Sequence, residues 1–369
     1  MEKRAWVEVD LKKIERNVEK MKDYTGRKFM ACVKADCYGM GMCEVSRRIE
    51  KRVDFFGVAT TSEAVTLRDC GIKKPVLVLG PVLSGDVETL VARNVRITLF
   101  DGELLKAVSS AARKTCKKAI VHIKIDTGLG RIGVNPESAG DFVLKAAGEK
   151  EIEIEGIFTH FATAGWEDKA YAKMQISRFN ETLSAVSSCN IPVKHIANSS
   201  AILNLPETYR NFDMIRIGLL MFGVYPEKEF YAKLPLECAA KGFCRVNYIK
   251  TVPKGTHLSY GITYKTSRAS TKIATTGIGY ADGLKRRLSN KFYFSRNGCK
   301  IRIVGNICMD QALADVTGHN IKTGDTLQVF GDNFEIENMA DIVKTVPQEI
   351  LCGFGSARMA KVYLNGKRK

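Results

Sequence analysis

Apolar runs and helical patterns alternate along the first part of the chain. Leu11, Ile14, Val18 and Met21 fall on one face of a helix, with Asp10 available as its N-cap. We predict strands at 28–33, 54–59, 76–79, 95–100, 119–125, 154–159, 193–197 and 213–217, and further helices at 62–70, 102–114, 136–149 and 167–188. The continuous apolar runs suit strands that are buried on both faces. Eight strand–helix units favour a closed parallel barrel over an open doubly wound sheet.

The pattern changes after residue 235. Strand-like runs now follow one another, separated by turn signals such as Arg296-Asn297-Gly298, and only 337–345 has a helical pattern. The predicted strands lie at 242–251, 271–278, 291–295, 300–304 and 325–330. We therefore predict an α/β fold in which an N-terminal (β/α)8 TIM-type barrel at 1–235 precedes a mostly-β C-terminal domain at 236–369.

The composition is that of an ordinary globular protein. The chain has 369 residues, of which 45% are hydrophobic and 26% charged, so it can bury a sizeable core. No apolar run approaches the roughly 20 residues needed to cross a bilayer. The N-terminus leads directly into a strand-like segment at 6–10 without an apolar signal core, so we expect a cytoplasmic protein with no membrane partner.

Cysteine and histidine spacing gives no sign of a metal site. The eleven cysteines are scattered and form no Cys-x-x-Cys pair, and none of the five histidines is spaced with them. Many of the cysteines lie in apolar runs. We expect free thiols in a reducing compartment and no bound metal.

The formal net charge of +17 raises the question of nucleic-acid binding. However, the lysines and arginines are spread along predicted helix faces, and the only dense cluster is Lys367-Arg368-Lys369. No helix-turn-helix, finger or aromatic–basic motif occurs, so we do not predict a nucleic-acid partner.

Reactive side chains collect where the predicted barrel strands end. Lys34 follows the first strand, and a lysine shielded from water near other cations can form a Schiff base with a carbonyl. The others at or near strand ends are Lys124, Arg131, His160, His195 and Arg216. Because the loops at the carboxyl ends of a parallel barrel build its active site, we expect these six residues to share one rim.

These segments, taken together, resemble alanine racemases. The resemblance is carried in the barrel by Val33-Lys34-Ala35, Tyr38-Gly39, Lys124, Arg131, His160-Phe161-Ala162-Thr163-Ala164, Ala197-Asn198-Ser199 and Ile215-Arg216-Ile217-Gly218. It continues in the second domain with Ser259-Tyr260-Gly261, Thr263-Tyr264, Gly277-Ile278-Gly279-Tyr280-Ala281-Asp282-Gly283 and Ile307-Cys308-Met309-Asp310-Gln311. It implies a barrel with a β domain, pyridoxal 5′-phosphate, and a head-to-tail homodimer in which both subunits contribute to each site.

The resemblance also implies roles for the matching residues. Lys34 would hold the cofactor and act as the base on one face of the substrate, and Tyr260 of the partner subunit would act on the other. Arg131 and the Met309 backbone would bind the substrate carboxylate. The expected product is D-alanine for cell-wall peptidoglycan, formed by interconversion of L- and D-alanine.

Further matches concern the cofactor and the support of the site. Arg216 would contact the pyridine nitrogen and, because an arginine stays protonated, would leave that nitrogen unprotonated. His195 would orient Arg216, and His160 would pack near the ring. The expected phosphate contacts are Tyr38, Ser199 and the backbone around Gly218 and Leu219. The supporting residues are Lys124, which is carbamylated in many members, together with Tyr264, Tyr280 and Asp310.

Some positions depart from the family pattern. Asp36, Cys37 and Met40 follow the reactive lysine where other residues are usual, and Gly165 replaces a usual aspartate. Near the C-terminus, Ala357 falls where many members carry a bulky or polar residue, which leaves serine or lysine open as substrates. A decarboxylase dependent on the same cofactor and a non-enzymatic protein that binds it are the rival hypotheses.

Overall fold

The computed structural model describes residues 2–333 and 335–366, so the basic tail Lys367-Arg368-Lys369 lies outside the described residues. The chain divides into two compact units. The barrel unit comprises Glu15–Cys37 and Met42–Leu220. The β unit comprises the described residues of 1–14, 38–41 and 221–369. The chain begins with strand β1 (Ala5–Asp10) and helix α1 (Leu11–Thr25).

Eight parallel strands form the sheet of the barrel unit, in the order β8-β7-β6-β5-β4-β3-β2-β9. They are β2 (Lys28–Cys32), β3 (Phe55–Val58), β4 (Val76–Val78), β5 (Arg96–Leu99), β6 (Ala119–Lys124), β7 (Ile152–Phe158), β8 (Val193–His195) and β9 (Met214–Ile217). Two backbone hydrogen bonds join the edge regions: Asp213 N donates to Lys194 O at 2.9 Å and Arg216 N to Ala197 O at 3.0 Å. The result is a nearly closed barrel, which confirms the predicted fold class.

Helices follow most of these strands, as the sequence predicts. They are α2 (Lys34–Tyr38), α3 (Met42–Ile49), α4 (Thr61–Asp69), α5 (Val87–Ala92), α6 (Gly102–Thr115), α7 (Pro136–Ala147), α8 (Ala170–Ala185), α9 (Ser199–Asn204) and α10 (Glu207–Arg210). The predicted apolar face of α1 is buried, and Asp10 Oδ1 accepts hydrogen bonds from Lys12 N and Lys13 N, as expected of an N-cap.

The β unit is mostly strand, in agreement with the prediction. Its strands after β1 are β10 (Ala240–Pro253), β11 (His257–Leu258), β12 (Tyr264–Lys265), β13 (Ser270–Thr276), β14 (Tyr293–Arg296), β15 (Cys299–Arg302), β16 (Ala312–Asp315), β17 (Thr326–Phe330) and β18 (Ala360–Leu364). Two helices, α11 (Glu335–Val343) and α12 (Pro347–Phe354), precede β18. The sequence patterns did not predict β11, β12, β16, β18 or α12.

Strand β1 differs from its predicted place. We assigned residues 1–235 to the barrel, but β1 pairs antiparallel with β10 and parallel with β18 in the sheet of the β unit. Pairing between segments this far apart in the chain leaves no local signature, since a strand shows only its own alternation.

One pair of cysteines also differs from the prediction. Cys43 and Cys70 form a disulfide with their Cα atoms 5.9 Å apart, whereas the other nine cysteines are free thiols. They are 27 residues apart in sequence, and neighbouring helices bring them together. In the part of the chain described, no helix has the length and apolar character to cross a membrane. The same residues contain no group of three potential His, Cys, Asp or Glu metal ligands.

Candidate active site

The predicted reactive side chains of the barrel unit lie at the carboxyl ends of its strands. Lys34 is exposed and lies two residues after the end of β2. Lys124 ends β6, His195 ends β8, and Arg216 lies within β9. His160 comes two residues after β7. This rim is the part of a parallel barrel where active sites form.

Arg216 is the centre of a dense hydrogen-bond network and is only 4% exposed. Its Nη1 donates to His195 Nδ1 at 3.1 Å and to His195 O at 3.0 Å. Its Nη2 donates to Thr159 O at 2.8 Å, to His160 Nδ1 at 3.0 Å and to Ile196 O at 3.0 Å. Among the described residues, its Nε has no acceptor and no carboxylate pairs with the guanidinium. Nε–H is therefore the donor that remains for a ligand.

Both histidines beside Arg216 are held neutral. Burial, and then the charge of Arg216, lower the pKa of His160 and of His195 well below the usual value. Burial also lowers the pKa of Arg216, to about 10, so the guanidinium stays charged at neutral pH. The ring of Phe158 stacks on His195 with the centroids 4.7 Å apart. The histidines therefore act as acceptors toward a fixed cation.

Lys124 is buried, with only 2% of its surface exposed. Its Nζ lies 5.3 Å from the centroid of the Phe158 ring. Burial, then Arg216 and Arg131, lower its pKa to about 7, with Lys34 adding to the shift and Asp126 opposing it. The rim is thus strongly electropositive, because four cations act on one another around a single carboxylate.

Asp126 shapes the loop that carries Arg131, a role that our sequence reasoning missed. Its Oδ1 accepts hydrogen bonds from Gly128 N at 3.1 Å and from Gly130 N at 3.0 Å. A Cβ at Gly133 would lie 2.5 Å from Asp126 N, so only glycine allows the loop to close. The Asp-x-Gly-x-Gly spacing is the signal that could have identified this residue.

Gln175 on α8 was also missed. It is fully buried; its Oε1 accepts from Ala162 N at 2.9 Å and its Nε2 donates to His160 O at 3.1 Å. Gln175 therefore holds the backbone of residues 160–162, which positions His160. A glutamine inside a helical pattern gives no sequence signal for this role.

The turn after Lys34 has an unusual backbone. Ala35, Asp36 and Cys37 have φ values of 54°, 51° and 55°, so this turn is left-handed. Polar side chains hold it: Glu63 Oε1 accepts from Ala35 N at 2.6 Å, and Asp36 Oδ1 accepts from Met42 N at 2.7 Å. Asp36, which departs from the family pattern, thus stabilises the segment after the reactive lysine.

Backbone donors occur after the last two barrel strands. Asn198 caps α9 by accepting from Ala201 N, and Ser199 is the first residue of that helix. Gly218 and Leu219 directly follow β9. These are the positions where barrels commonly bind phosphate.

The remaining predicted residues lie in the β unit, where Tyr260, Tyr280 and Met309 are 72%, 42% and 52% exposed. Hydrogen bonds connect their loops: Asn306 Nδ2 donates to Tyr260 O at 2.7 Å, and Tyr280 N donates to Cys308 O at 3.0 Å. Three predicted residues thus form one exposed surface, which we call the tyrosine face.

An ion-pair network supports this surface. Asp282 is fully buried and pairs with Arg4 at 2.5 Å and with Arg358 at 3.3 Å. Arg358 also pairs with Asp310, next to Met309. Asp282 was not predicted as a support, although it lies in the Gly-Tyr-Ala-Asp-Gly segment that carries the family resemblance.

Two predicted residues of the β unit pack against other side chains. The guanidinium carbon of Arg302 lies 5.8 Å from the ring centroid of Tyr264. The Tyr38 ring meets Phe222 edge-on at 6.3 Å. The roles of Tyr38 as a phosphate contact and of Tyr264 as a supporting residue stay predictions.

Comparison with known proteins gives consistent results over the whole chain. Residues 9–226 match the family "Alanine racemase, N-terminal domain" and residues 240–363 match "Alanine racemase, C-terminal domain". Alanine racemase 1 of Caldanaerobacter subterraneus subsp. tengcongensis is 40% identical, with 97% of this chain and 94% of the relative covered. The alanine racemase of Methanococcus maripaludis is 38% identical, with 98% of each covered. The solved structure of alanine racemase from Clostridium difficile 630 superposes with a TM-score of 0.92 at 33% identity, covering 99% of this chain and 96% of that one.

Proposed function

Because this chain belongs to the alanine racemase family, and is therefore an isomerase that interconverts L- and D-alanine, we propose that Lys34 and the Tyr260 of a second copy are its two bases. The observation that carries this proposal is the position of Lys34. It lies on the same barrel rim as Arg216, His160, Lys124 and Arg131. We further propose that the product supplies cell-wall peptidoglycan. The cytoplasmic location stays a prediction.

The donor set of the barrel rim fits pyridoxal 5′-phosphate. The exposed amine of Lys34 is available to an aldehyde, and Arg216 retains one donor, Nε–H, without a partner among the described residues. The N–H groups at Ser199, Gly218 and Leu219 suit a phosphate. Lys34 would hold the cofactor, Arg216 would contact its ring nitrogen and His160 would lie near its ring. Tyr38 remains a predicted phosphate contact.

When bound, the cofactor supplies an electron sink for the negative charge that develops on the substrate α-carbon. Arg216 limits the strength of that sink, since a guanidinium donates a hydrogen bond but does not release its proton at neutral pH. His195 and His160 accept from Arg216 and hold its orientation. The barrel residues thereby favour return of the proton to the α-carbon over its loss to side reactions.

Arg131 and the backbone at Met309 of a second copy would orient the substrate. Arg131 is exposed at the rim, on the loop that Asp126 holds closed. A guanidinium binds a carboxylate through two parallel hydrogen bonds, which fixes the α-carbon between the two bases.

A second copy is needed because racemisation requires proton exchange on opposite faces of the α-carbon. The tyrosine face supports such a partner. Tyr260 and Met309 of this surface are 72% and 52% exposed, and Ile262, two residues after Tyr260, adds an apolar side chain that is 60% exposed. Contiguous exposed apolar side chains commonly mark an interaction surface. We propose a head-to-tail homodimer in which this surface completes the partner's site.

Mixing two inactive variants tests both bases and the shared site. Lys34→Ala alone removes the amine, and Tyr260→Phe alone removes the phenolic oxygen, so each homodimer should lose racemase activity. After unfolding and refolding together, about one quarter of wild-type activity should return, because half of the dimers are mixed and each contains one complete site. No recovery from correctly assembled mixed dimers would show that the two residues act within one chain.

We propose that Ala357 influences which amino acid the enzyme prefers. The family resemblance places Ala357 near the substrate, and the residue is exposed, so a larger side chain there should restrict larger substrates. We expect Ala357→Tyr to lower the ratio of kcat/KM for serine to that for alanine, while Ala92→Tyr at another exposed alanine leaves it unchanged. An unchanged ratio in Ala357→Tyr would remove this residue as a determinant. Release of CO2 from lysine without racemisation would instead favour the decarboxylase hypothesis.

A further inference from the structure

A chain of hydrogen bonds crosses the interior of the barrel unit from Arg216 to Arg96. His195 Nε2 lies 2.8 Å from His122 Nδ1, and His122 Nε2 lies 3.0 Å from Glu155 Oε2. Arg96 donates to both oxygens of Glu155, each at 3.0 Å. We call these five residues the barrel relay. Of them, only Arg216 and His195 were expected from the sequence.

Arg216 at one end of the barrel relay and the Glu155 carboxylate near the other determine which atom donates in each hydrogen bond between them. A guanidinium can only donate, so His195 must accept at Nδ1. A neutral imidazole that accepts at Nδ1 carries its proton on Nε2, so His195 donates to His122. The same reasoning makes His122 donate from Nε2 to Glu155, which as a carboxylate only accepts.

The charges agree with this assignment. Burial lowers the pKa of His122 and of His195, so both rings are neutral. Burial alone would raise the pKa of Glu155, but hydrogen bonds from His122 and Arg96 outweigh it and lower the pKa to about 2. Glu155 is therefore the anion at the far end from Arg216, with two neutral rings between them.

The backbone of β7 is built to admit this arrangement. In its pairing with β6, Val121 is opposite Ile154 and His122 is opposite Gly156, so Glu155 is the extra residue of a β-bulge. A Cβ at Gly156 would lie only 2.3 Å from His122 Nδ1. The bulge turns Glu155 toward His122, and the glycine makes room for the ring.

An apolar interior would be the simpler solution for such a barrel. Barrel interiors are usually filled with branched apolar side chains, and replacing a buried ion pair by apolar residues is often neutral or stabilising. Here aromatic rings hold the relay instead: Phe158 stacks on His195, and Phe55 meets His122 edge-on at 5.8 Å. Stability alone therefore does not account for the polar chain.

We propose that Glu155 and His122 are positioning residues for racemisation, which fix the tautomer of His195 and thereby keep Arg216 in the orientation that leaves Nε–H for the cofactor ring. This inference rests on the role of Arg216 in the proposed function. If His195 carried its proton on Nδ1, two donors would face each other across 3.1 Å and the guanidinium would have to move.

Nitrogen NMR of the histidine-labelled wild-type protein tests the relay without any assay of activity. We expect His122 and His195 both to be neutral with the proton on Nε2; a proton on Nδ1 of either ring, or a charged ring, overturns the proposal. Loss of the corresponding signals in His122→Phe and in His195→Phe assigns them.

Variants at Glu155 separate the effect of the acceptor from that of the charge. Glu155→Leu removes the acceptor, so a second tautomer of His195 should appear. Glu155→Gln keeps an oxygen that can accept, so the wild-type tautomer should persist. Glu153→Gln, at an exposed position of the same strand, is the control and should change nothing. If Glu155→Leu does not fold, Gly156→Ala displaces the His122 ring without removing a charge and should give the same mixture. A single unchanged tautomer in the folded variant overturns the proposal.

Kinetics then connect the relay to the reaction. Glu155→Leu should lower kcat by about 10- to 100-fold, the usual cost of losing a partner that orients a functional group, with a much smaller change in KM for alanine. It should also raise the pyruvate formed per D-alanine, because a displaced Arg216 no longer limits the transfer of the amino group to the cofactor. Unchanged kcat and an unchanged product ratio would overturn the proposal. A wild-type protein that does not racemise alanine would instead contradict the proposed function, whatever the histidine tautomers show.

Discussion

At the scale of single residues, the environment of Lys124 constrains the chemistry of its amine. It is only 2% exposed, and burial together with the charges of Arg216, Arg131 and Lys34 lowers its pKa to about 7. A lysine with this pKa has a substantial fraction of neutral amine at physiological pH. That amine can add CO2 with release of one proton to solvent, and the resulting carbamate would replace a repelled cation by an anion.

We therefore predict that Lys124 is carbamylated when the protein is kept in bicarbonate. After exchange into labelled bicarbonate, carbon NMR should show one carbamate signal that disappears in Lys124→Met. The exposed Lys118 provides the control, since Lys118→Met should keep the signal. Intact-mass measurement of a bare amine under the same conditions would contradict the prediction.

The same shift predicts how stability depends on pH when CO2 is removed. The pKa of Lys124 is about 7 in the folded chain against 10.5 for an unperturbed lysine, so between these values the unfolded chain binds more protons. The free energy of unfolding should then rise with pH in this window, by at most about 1.4 kcal/mol per pH unit. Denaturant titrations of Lys124→Met should lack this rise, and identical pH profiles for the two proteins would show that the amine is not perturbed.

At the scale of elements, residues 38–41 include a close approach of two glycines within the β unit. Gly39 has a φ of 80°, and a Cβ there would lie 2.3 Å from the Cα of Gly355. Neither backbone can move aside cheaply. This contact gives residues 38–41 a fixed place beside the C-terminal segment.

Gly39→Ala should therefore destabilise the protein by more than the strain of positive φ alone. Gly71 has a similar φ of 89°, and a Cβ there would have no atom within 4 Å, so Gly71→Ala measures that strain, about 1–2 kcal/mol. We expect Gly39→Ala to cost at least twice as much in chemical denaturation. Equal costs for the two variants would mean that the Gly355 contact carries no energy.

The elements also show which parts of the fold and site were predictable. Apolar runs revealed all eight barrel strands, because a strand buried on both faces is visible in its own sequence. The short strands β16 and β18 were missed, since they are recognised through partners far along the chain. Likewise, His122 was missed, although it lies two residues before Lys124 and so shares its face of β6. The bulge that brings Glu155 to it has no sequence signature.

At the scale of the whole molecule, two features point to a second copy. The established reaction needs acid–base groups on both faces of the substrate, and the tyrosine face exposes Tyr260 and Met309 together with the apolar Ile262. The strong positive charge, +17 for each chain, opposes association at low ionic strength, so apolar contact would have to outweigh it.

We predict that Ile262→Glu disrupts the proposed homodimer and the racemase activity together. A carboxylate at Ile262, two residues after Tyr260, would become a buried unpaired charge on association but would cost the folded monomer little, because Ile262 is 60% exposed. Sedimentation velocity should show a shift to monomer, and racemase activity should fall in the same proportion and recover with protein concentration. Leu83→Glu, at an exposed leucine of the barrel unit, should leave both unchanged. A fully active Ile262→Glu monomer would show that each chain contains a complete site, and Tyr260 would then lose its assignment as the second base from another subunit.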